Sequence, residues 1–505
     1  MGRNRNQDIS DRNLLNYNLL NLEFRKLTQL LAGPLIFLII LLSTPPSGMP
    51  LLAWNTLAVT TWVAIWWITE AVPIPVTSLL PLVLFPLTGV MSMDTTGPAY
   101  ADKIIWLYTG GFILALGIEK WHLHERIALI ILSMTGTKPE KVILGFMISC
   151  ALLSMWISNT ATAIMMLPMG LAVIRQLRLP DGHGISKALL ISIAYSCSIG
   201  GIATIIGTPT NLVLAGIVEK SFNTEISFYQ WIILGFPLSV LLLIICWYYL
   251  TRFAFNLNIP DQEIHLPNFR KKLEGLGKMK PEEKRVLTVF SITALLWIFR
   301  PLIIDPFIPE VNDSIIALGA AISLFLIPAS QHHEKLMEWE TAVKLPWGIV
   351  LLFGGGLAIA KAFQVSGLAE WMGNNLLIFE NIPIFVIILL TILFVNFLTE
   401  FTSNVATAAM ILPVLSVIAL SMDIHPYTLM AGASIAASCA FMLPVATPPN
   451  AIVFAGKHLK VSDMVKAGFI MNILSVLITA LAMYYLLPIL WELDIHSFPD
   501  VFKSD

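Results

Sequence analysis

Three long stretches without a charged residue restrict the folds open to this chain more than any other feature. They span residues 142–174, 188–218 and 401–422, and apolar side chains dominate each of them. Charge-free apolar runs of about 18 residues or more are typical of helices that cross a membrane. Because these runs are continuous, they do not fit the alternating pattern of a transmembrane β-strand. The sequence therefore predicts an all-α, polytopic membrane protein.

The overall composition agrees with this prediction and excludes other classes of protein. The chain of 505 residues is 57% hydrophobic and 12% charged, whereas ordinary globular chains are roughly 25% charged. Its mean hydropathy is +0.79. With 30 basic against 32 acidic residues it has no basic field for nucleic acid, so no nucleic-acid partner is expected. The four cysteines lie in apolar segments without metal-ligand spacing, and we expect them to be buried and to bind no cofactor.

The distribution of Lys and Arg predicts how the chain is arranged across the membrane. Basic residues mark an amino-terminal segment, 1–30, and a long polar linker, 251–285, so both are expected in the cytoplasm. The acidic tail, 492–505, is expected outside the cell. The linker separates a first membrane half, 31–250, from a second, 286–491. A cytoplasmic start and an external end require an odd number of crossings, and we count about eleven transmembrane helices, with two further segments that do not fit a simple span.

An internal repeat relates the two halves. Ser158-Asn159-Thr160 recurs 245 positions later as Ser403-Asn404-Val405. Downstream, Gly207-Thr208-Pro209-Thr210-Asn211 recurs as Ala446-Thr447-Pro448-Pro449-Asn450, in the same order. Between equivalent segments we count an odd number of crossings, so the halves are predicted to have opposite topology. Inverted repeats of this kind are typical of secondary transporters.

The repeated motifs lie inside apolar runs, where polar residues are costly. Irregular backbone is tolerated at membrane depth only where it lines a cavity or is buried in protein. The run 142–174 would form about 50 Å of helix, which is too long for one straight crossing of a core about 30 Å thick. The sequence therefore predicts two re-entrant hairpins, at about 139–175 on the cytoplasmic side and about 381–420 on the outside. The Thr-Pro motifs are expected to break helices, since proline removes a backbone donor.

The residue types at these motifs favour sodium and an anion as ligands. Sodium is a hard cation that prefers oxygen, which Asn, Ser and Thr side chains and unwound backbone carbonyls supply. An anion prefers the free N–H groups at helix N-termini together with hydroxyls and amides. No Lys or Arg lies near either motif, so co-bound sodium would supply the missing positive charge. Glu400 is the one carboxylate close to either hairpin tip, and its position allows either a functional role or a hairpin entry near the surface.

These motifs closely resemble those of the divalent anion/sodium symporter family of dicarboxylate transporters. The resemblance includes both Ser-Asn motifs, both Thr-Pro motifs and the early stretch from Trp67 to Pro75, Trp-Ile-Thr-Glu-Ala-Val-Pro-Ile-Pro. It covers nearly the whole chain apart from the first 30 or so residues and the ends. Two positions depart from the common pattern: Val405 stands where many members have Thr, and Thr210 where a second Pro is common. These departures bear on the range of substrates.

The resemblance implies a homodimer in the lipid bilayer of the cell membrane that works as an elevator, with a scaffold and a mobile transport domain in each protomer. It implies uptake of C4-dicarboxylates such as succinate, malate and fumarate, coupled to inward sodium movement. Sodium is then a co-transported ligand, and no resident cofactor and no enzymatic activity are expected.

The resemblance also implies which residues bind the ligands. One sodium ion would be bound by Ser154, Ser158, Asn159 and Gly207. The other would be bound by Thr399, Ser403, Asn404 and Ala446. Gly207 and Ala446 would act through backbone oxygens. The substrate would contact Ser158, Asn159, Thr160, Thr208, Pro209, Ser403, Asn404, Val405, Thr447 and Pro448.

Four other functions fit the sequence less well than sodium-coupled transport does. A sodium-independent dicarboxylate exchanger on the same fold is the nearest alternative, and neither the preferred diacid nor the number of sodium ions follows from the sequence. An ATP-driven pump would need a Gly-x-x-x-x-Gly-Lys-Ser/Thr loop, which the chain lacks. A channel fits mirrored hairpins less well than alternating access does. An intramembrane hydrolase would need a His-Glu-x-x-His helix or a Ser nucleophile with a base, and we find neither, since His332-His333-Glu334 has the wrong spacing.

Overall fold

A computed structural model describes residues 26–136, 138–177, 182–258, 269–330, 334–375, 382–499 and 502. Most of the predicted amino-terminal segment, the middle of the linker, residue 381 of the second hairpin, part of the acidic tail and His332-His333 lie outside the described residues. Within the described ranges the chain is helical, and its β-structure amounts to one isolated bridge between Pro328 and Lys335.

The first half of the described chain folds into twelve helices that follow one another with short connections. A 3₁₀ turn, Gly97–Ala101, precedes the sixth, and a π-helical turn, Leu250–Ala254, extends the twelfth. In chain order the helices are α1 Lys26–Leu42, α2 Leu51–Thr69, α3 Ile74–Thr77, α4 Leu80–Leu87, α5 Met93–Thr96, α6 Lys103–Lys120, α7 Leu123–Met134, α8 Pro139–Ser154, α9 Asn159–Leu177, α10 Gly184–Ile202, α11 Pro209–Phe222 and α12 Phe228–Tyr249.

The second half also consists of twelve helices among the described residues. Another π-helical turn, Ala482–Leu486, lies between the last two. The helices are α13 Phe269–Gly275, α14 Pro281–Ile303, α15 Asp313–Leu326, α16 Trp339–Ala342, α17 Trp347–Val365, α18 Leu368–Asn375, α19 Ile384–Leu398, α20 Asn404–Ser421, α21 Pro426–Ser438, α22 Pro448–Phe454, α23 Val461–Leu481 and α24 Leu487–Trp491.

Nine helical segments of the described chain are long and apolar enough to cross a membrane, and four shorter apolar helices accompany them. Large apolar side chains such as Leu42, Leu302 and Ile489 face outward, which is the arrangement expected where lipid is the solvent. The prediction of an all-α polytopic membrane protein is therefore confirmed. The count of about eleven crossings, the two re-entrant hairpins and the boundaries of the two halves stay predictions.

All four repeated motifs fall where a helix is interrupted. In the first half the interruptions separate α8 from α9 and α10 from α11, and in the second half they separate α19 from α20 and α21 from α22. Pro209 and Pro448 are the first residues of α11 and α22, where a missing N–H costs nothing because that group has no helical partner. The motifs thus end one helix and start the next, as their sequences predict.

The backbones of α8 and α10 lie unusually close together near the ends of the two helices. A Cβ at Gly200 on α10 would lie 2.4 Å from the carbonyl oxygen of Ala151 on α8. Only glycine allows the two helices to approach this closely. The thiol-bearing residues Cys150 and Cys197 are buried in the same region, and all four cysteines are free and buried, as predicted.

A network of ion pairs joins the ends of several helices. Lys103 Nζ lies 2.8 Å from Glu219 and 3.1 Å from Glu225. Arg300 Nη1 lies 2.9 Å from Glu225 and 3.0 Å from Asp313. The network connects α6, the end of α11, α14 and the start of α15, so charges at the ends of apolar helices compensate one another. This arrangement agrees with charged groups being confined to helix ends in a membrane protein.

Candidate functional site

A cavity of about 980 Å³ lies among the four interruptions. It is lined by all ten residues that the family resemblance assigns to the substrate: Ser158, Asn159, Thr160, Thr208, Pro209, Ser403, Asn404, Val405, Thr447 and Pro448. Apolar walls are contributed by residues such as Tyr108, Phe112 and Trp156. Glu70 is the one charged side chain among the described residues of the lining, which include no Lys or Arg.

Three oxygen atoms converge at the interruption between α8 and α9. Ser154 is buried, and its Oγ lies 2.5 Å from Asn159 Oδ1 and 2.7 Å from the carbonyl oxygen of Cys197. A serine hydroxyl has one hydrogen, so it donates to one of these acceptors at a time. Hydroxyl, amide and carbonyl oxygens of this kind are ligands that a hard monovalent cation accepts. We refer to these three oxygen atoms as the first oxygen cluster.

The interruption between α19 and α20 repeats this arrangement. Thr399 Oγ1 lies 2.8 Å from Asn404 Oδ1 and 3.0 Å from the carbonyl oxygen of Ala437. Thr399 follows Ser154 by the same 245 positions that separate the two asparagines. These three atoms form the second oxygen cluster. Ser154 and Thr399 are not part of the cavity lining, whereas Gly207 and Ala446 are.

Two asparagines that sequence reasoning left without a role hold the broken helices in shape. Asn211 Nδ2 donates to the carbonyls of Thr204 at 2.9 Å and Gly201 at 3.3 Å. In the second half Asn450 Nδ2 donates to Leu443 at 3.0 Å and to a second carbonyl in the same interruption. Each amide satisfies carbonyls that the break leaves without helical partners. The signal was present in the sequence, because both Thr-Pro motifs end in Asn at the same place.

The two broken helices contact each other directly. Thr210 Oγ1 lies 2.7 Å from Ser438 Oγ, and Tyr195 donates its hydroxyl hydrogen to the carbonyl of Phe441 at 2.6 Å. Both bonds are buried and join the first half of the chain to the second. The two oxygen clusters therefore belong to one packed body.

Glu400 lies in the interruption between α19 and α20 but does not reach the cavity. Its side chain is buried, and its carboxylate accepts hydrogen bonds from the backbone N–H groups of Phe441, Met442 and Leu443 and from the amide of Asn472. Both interpretations that the sequence left open, a functional role and a hairpin entry near the membrane surface, stay predictions. The carboxylate is a structural partner of the interruption between α21 and α22.

The candidate ligands for a cation are neutral oxygens. Within the described residues, no group of three or more His, Cys, Asp or Glu side chains is arranged to bind a metal ion. Hydroxyl, amide and carbonyl oxygens suit a hard monovalent cation better than a transition metal. The residues at the two oxygen clusters fit the sodium ions that the family resemblance implies.

Comparison with known proteins identifies the family. The family model for the sodium:sulfate symporter transmembrane region matches residues 24–492. The chain belongs to this family. Among sodium:sulfate symporter relatives, it is 44% identical over 482 residues to the sodium-dependent dicarboxylate transporter SdcS of Staphylococcus saprophyticus, covering 93% of each chain. It is 43% identical to SdcS of Staphylococcus aureus over 488 residues, covering 94% of this chain and 93% of that one. The resemblance to divalent anion/sodium symporters is thereby confirmed.

Two solved structures share the fold of this sodium:sulfate symporter family member. MtrF of Neisseria gonorrhoeae, described as an antimetabolite efflux pump, matches with a TM-score of 0.55 at 15% identity, over 80% of this chain and 85% of its own. The YdaH transporter of Alcanivorax borkumensis, described as having an unusual topology, matches with a TM-score of 0.53 at 14% identity, over 86% of this chain and 98% of its own. At these identities the similarity concerns the fold alone. The family consists of transporters, so this multi-pass membrane protein is not classed as an enzyme.

Proposed function

We propose that this protein is a symporter that couples inward sodium movement to the uptake of C4-dicarboxylates such as succinate, malate and fumarate. The observation that carries the proposal is the pair of mirrored oxygen clusters beside a cavity whose described lining has no Lys or Arg. A dianion in such a cavity needs positive charge from elsewhere, and two sodium ions provide it. The curated relatives at 43–44% identity carry the name of sodium-dependent dicarboxylate transporters, which supports the same conclusion.

In this proposal each sodium ion is bound at one oxygen cluster and the substrate lies between them. The first ion uses Ser154, Ser158, Asn159 and the carbonyl of Gly207, and the second uses Thr399, Ser403, Asn404 and the carbonyl of Ala446. The N-termini of α9, α11 and α20 begin at the cavity, and their first N–H groups have no helical acceptor. Substrate carboxylates would accept from these groups and from nearby hydroxyls. Asn159 and Asn404 then serve both ligands and link their affinities.

We propose an elevator mechanism for the movement of this site. The buried bonds between the two broken helices support a body that moves as one unit with both oxygen clusters inside it. The inverted repeat supports alternating access, with the first hairpin toward the cytoplasm and the second toward the outside. The protein would be a homodimer in the cell membrane, with a cytoplasmic amino terminus and an external carboxyl terminus.

Purified protein in liposomes provides the decisive test. We expect uptake of labelled succinate when an inward sodium gradient is applied and almost none in choline or potassium buffer. Lithium should substitute poorly, because oxygen cages that fit one ionic radius bind a smaller ion less well. Unchanged uptake in choline buffer by liposomes preloaded with unlabelled succinate would instead identify the sodium-independent exchanger.

A smaller prediction concerns the asymmetry between the two motifs. Thr160 can donate a hydroxyl hydrogen bond to a substrate carboxylate, whereas Val405 at the mirrored position cannot. A hydrogen bond to a charged group contributes roughly 1.5–3 kcal/mol, or about ten-fold or more in affinity. Thr160→Val keeps the side-chain shape, so succinate affinity should fall by about ten-fold while sodium affinity measured without substrate barely changes.

The reciprocal variant serves as the control. Val405→Thr adds a donor at the second tip and should change the ranking of succinate, malate and larger carboxylates more than it changes sodium use. Both variants are titrated with diacid at saturating sodium and with sodium alone. Equal losses in the two titrations of Thr160→Val would mean that the residue shapes the hairpin tip and does not contact substrate.

A further inference from the structure

Helices α10, α11, α12 and α21 are joined by buried contacts into the packed body that carries the oxygen clusters. Thr210 on α11 bonds to Ser438 on α21. Trp231 Nε1 on α12 donates to the carbonyl of Ile202 on α10 at 2.9 Å, and a Cβ at Gly235 would lie 2.6 Å from the same carbonyl oxygen. The end of α11 and the start of α12 therefore belong to this body.

Helices α6, α14 and α15 form a second group, which we call the frame. Ser314 Oγ on α15 donates to the carbonyl of Lys103 on α6 at 2.7 Å. Trp297 Nε1 on α14 donates to the carbonyl of Asp313 on α15 at 3.0 Å, in a buried position. Hydrogen bonds thus connect all three helices of the frame.

Glu225, in the connection between α11 and α12, is bound by two cations of the frame. Its Oε2 lies 3.1 Å from Lys103 Nζ, and its Oε1 lies 2.9 Å from Arg300 Nη1. Arg300 also lies 3.0 Å from Asp313, which is part of the frame itself. If the packed body moved away, Arg300 would keep a partner, whereas Glu225 would lose both of its cations.

Two further ion pairs cross between the packed body and the frame at the same end. Lys103 Nζ lies 2.8 Å from Glu219, and Lys220 Nζ lies 2.6 Å from Asp102. The adjacent residues of α11 therefore pair with adjacent residues at the start of α6, with opposite charges. We call these two pairs, together with the two at Glu225, the ionic lock.

The ionic lock has no counterpart in charge at the mirrored end of the repeat. Lys103 corresponds at the spacing of 245 positions to Gly348, where a Cβ would lie 2.6 Å from Pro75 Cγ. Beside the lock, Phe228 of the body stacks on Trp297 of the frame with ring centroids 5.0 Å apart. Stacked rings can slide at little cost, whereas the energy of an ion pair falls as its charges separate.

The predicted orientation of the chain places the ionic lock on the external side. Helix α14 starts just after the basic linker, which is expected in the cytoplasm, so Arg300 near its far end is expected outside. Helix α15 then returns the chain to the cytoplasmic side, where Pro346 contributes to the cavity lining. The lock thus joins body and frame on the outside while the cavity extends toward the cytoplasm.

We propose that the ionic lock stabilises the inward-facing position of the packed body and must open each time the cavity turns outward. The proposal rests on the elevator mechanism proposed above. Glu225 is a positioning residue, since it lies outside the cavity lining. Because Gly348 occupies the mirrored position of Lys103, the lock acts on one of the two states and shifts the balance between them.

The experiment measures how often the cavity is open to the outside. Val445 lines the cavity and is 83% exposed, and the four native cysteines are buried. Full-length Val445→Cys protein in intact cells is labelled with a membrane-impermeant maleimide added outside. Partly exposed ion pairs each shift an equilibrium by up to about five-fold. Glu225→Gln removes two of them, so external labelling should become about ten-fold faster.

Matched variants separate the lost charge from general damage. Glu310→Gln changes an exposed acid in the connection between α14 and α15 and should leave the labelling rate unchanged. Glu225→Asp keeps the charge and should label at nearly the original rate. Lys103→Gln should act like Glu225→Gln, and the double variant should label more slowly than the product of the two effects predicts, because the residues share a contact.

The possible failures are distinguishable. Retained uptake with unchanged external labelling in Glu225→Gln overturns the ionic lock and leaves the symporter function intact. Absence of any sodium dependence in wild-type uptake overturns the proposed function itself. If Glu225→Gln does not reach the membrane, Lys220→Met decides the matter, since it removes a separate pair of the lock. It should speed external labelling about two- to five-fold, and an unchanged rate would contradict the proposal.

Discussion

Replacing Asn404 with Ala is expected to reduce sodium-driven succinate uptake by about 100-fold or more. The change removes a proposed ligand of the second sodium ion and a proposed donor to the substrate at once. It also takes away an acceptor of Thr399 Oγ1, which lies 2.8 Å from Asn404 Oδ1 in a buried position. Losing two contacts to charged ligands costs about 3 kcal/mol or more, which corresponds to a factor of at least about 100.

Because Asn404 is proposed to bind both ligands, its replacement should change two affinities at once. Sodium affinity and succinate affinity should fall together in Asn404→Ala, because binding free energies linked through a shared group change reciprocally. Asn159→Ala should behave in the same way at the mirrored site. Ser421→Ala, at the opposite end of α20, is the control and should transport normally. Intact sodium dependence and diacid affinity in Asn404→Ala would show that the second hairpin is wrongly assigned.

Gly201→Ala is expected to abolish sodium-driven uptake almost completely, although the substitution adds a single methyl group. A Cβ at Gly201 would lie 2.8 Å from Asn159 Oδ1 and 3.2 Å from the carbonyl oxygen of Gly207. Both oxygens are proposed ligands of the first sodium ion, so the methyl group would occupy the edge of that site. Overpacking of this kind costs roughly 1–3 kcal/mol before the displaced ligands are considered. We expect a fall in uptake of about 100-fold.

Gly319→Ala is the matched control for this substitution. Gly319 lies on an exposed face of α15, where an added Cβ would meet no atom within 4 Å. Because Ala favours a helix over Gly by about 1 kcal/mol, this variant should be as stable as wild type or slightly more stable and should transport normally. Sodium titration and uptake are measured for both variants. Normal sodium affinity in Gly201→Ala would remove Asn159 from the list of sodium ligands.

The sequence predicts the helical fold and the positions of the four interruptions because these depend on local features. Charge-free apolar runs require helices in a membrane, and the Thr-Pro motifs end one helix and start another whatever surrounds them. Ser154 and Thr399 are named by the family resemblance, and the structure places them beside Asn159 and Asn404 at equivalent positions of the repeat. Local features thus predict the interruptions, whereas the roles of the site residues come from the resemblance and stay predictions.

The contacts that the sequence does not predict join segments far apart in the chain. The sequence places Glu400 beside the second Ser-Asn motif. Its hydrogen-bond partners, however, lie on the segment 441–443 and on α23, and no local sequence pattern connects these to Glu400. The hydrogen bond from Tyr195 to Phe441 is of the same kind. Helix bounds are also decided by such contacts, because a long apolar run is compatible with a single span, a hairpin or a broken helix. Packing selects among them.

In the proposed elevator mechanism, the buried carboxylate of Glu400 would give the membrane potential a direct effect on the transport cycle. If the packed body carries both clusters across the membrane, it also carries this charge, whose hydrogen-bond partners among the described residues are all uncharged. Two sodium ions and a dianion add no net charge, so Glu400 would add one negative charge to the loaded and to the empty body alike, beside the other charges on the helices that move. An inside-negative voltage pushes this charge outward, with up to about 2.3 kcal/mol per 100 mV if it traverses the whole field. In an energised cell Glu400 would therefore favour the outward-facing state of the carrier. The net cycle would gain electrical driving force only from each sodium ion beyond the second.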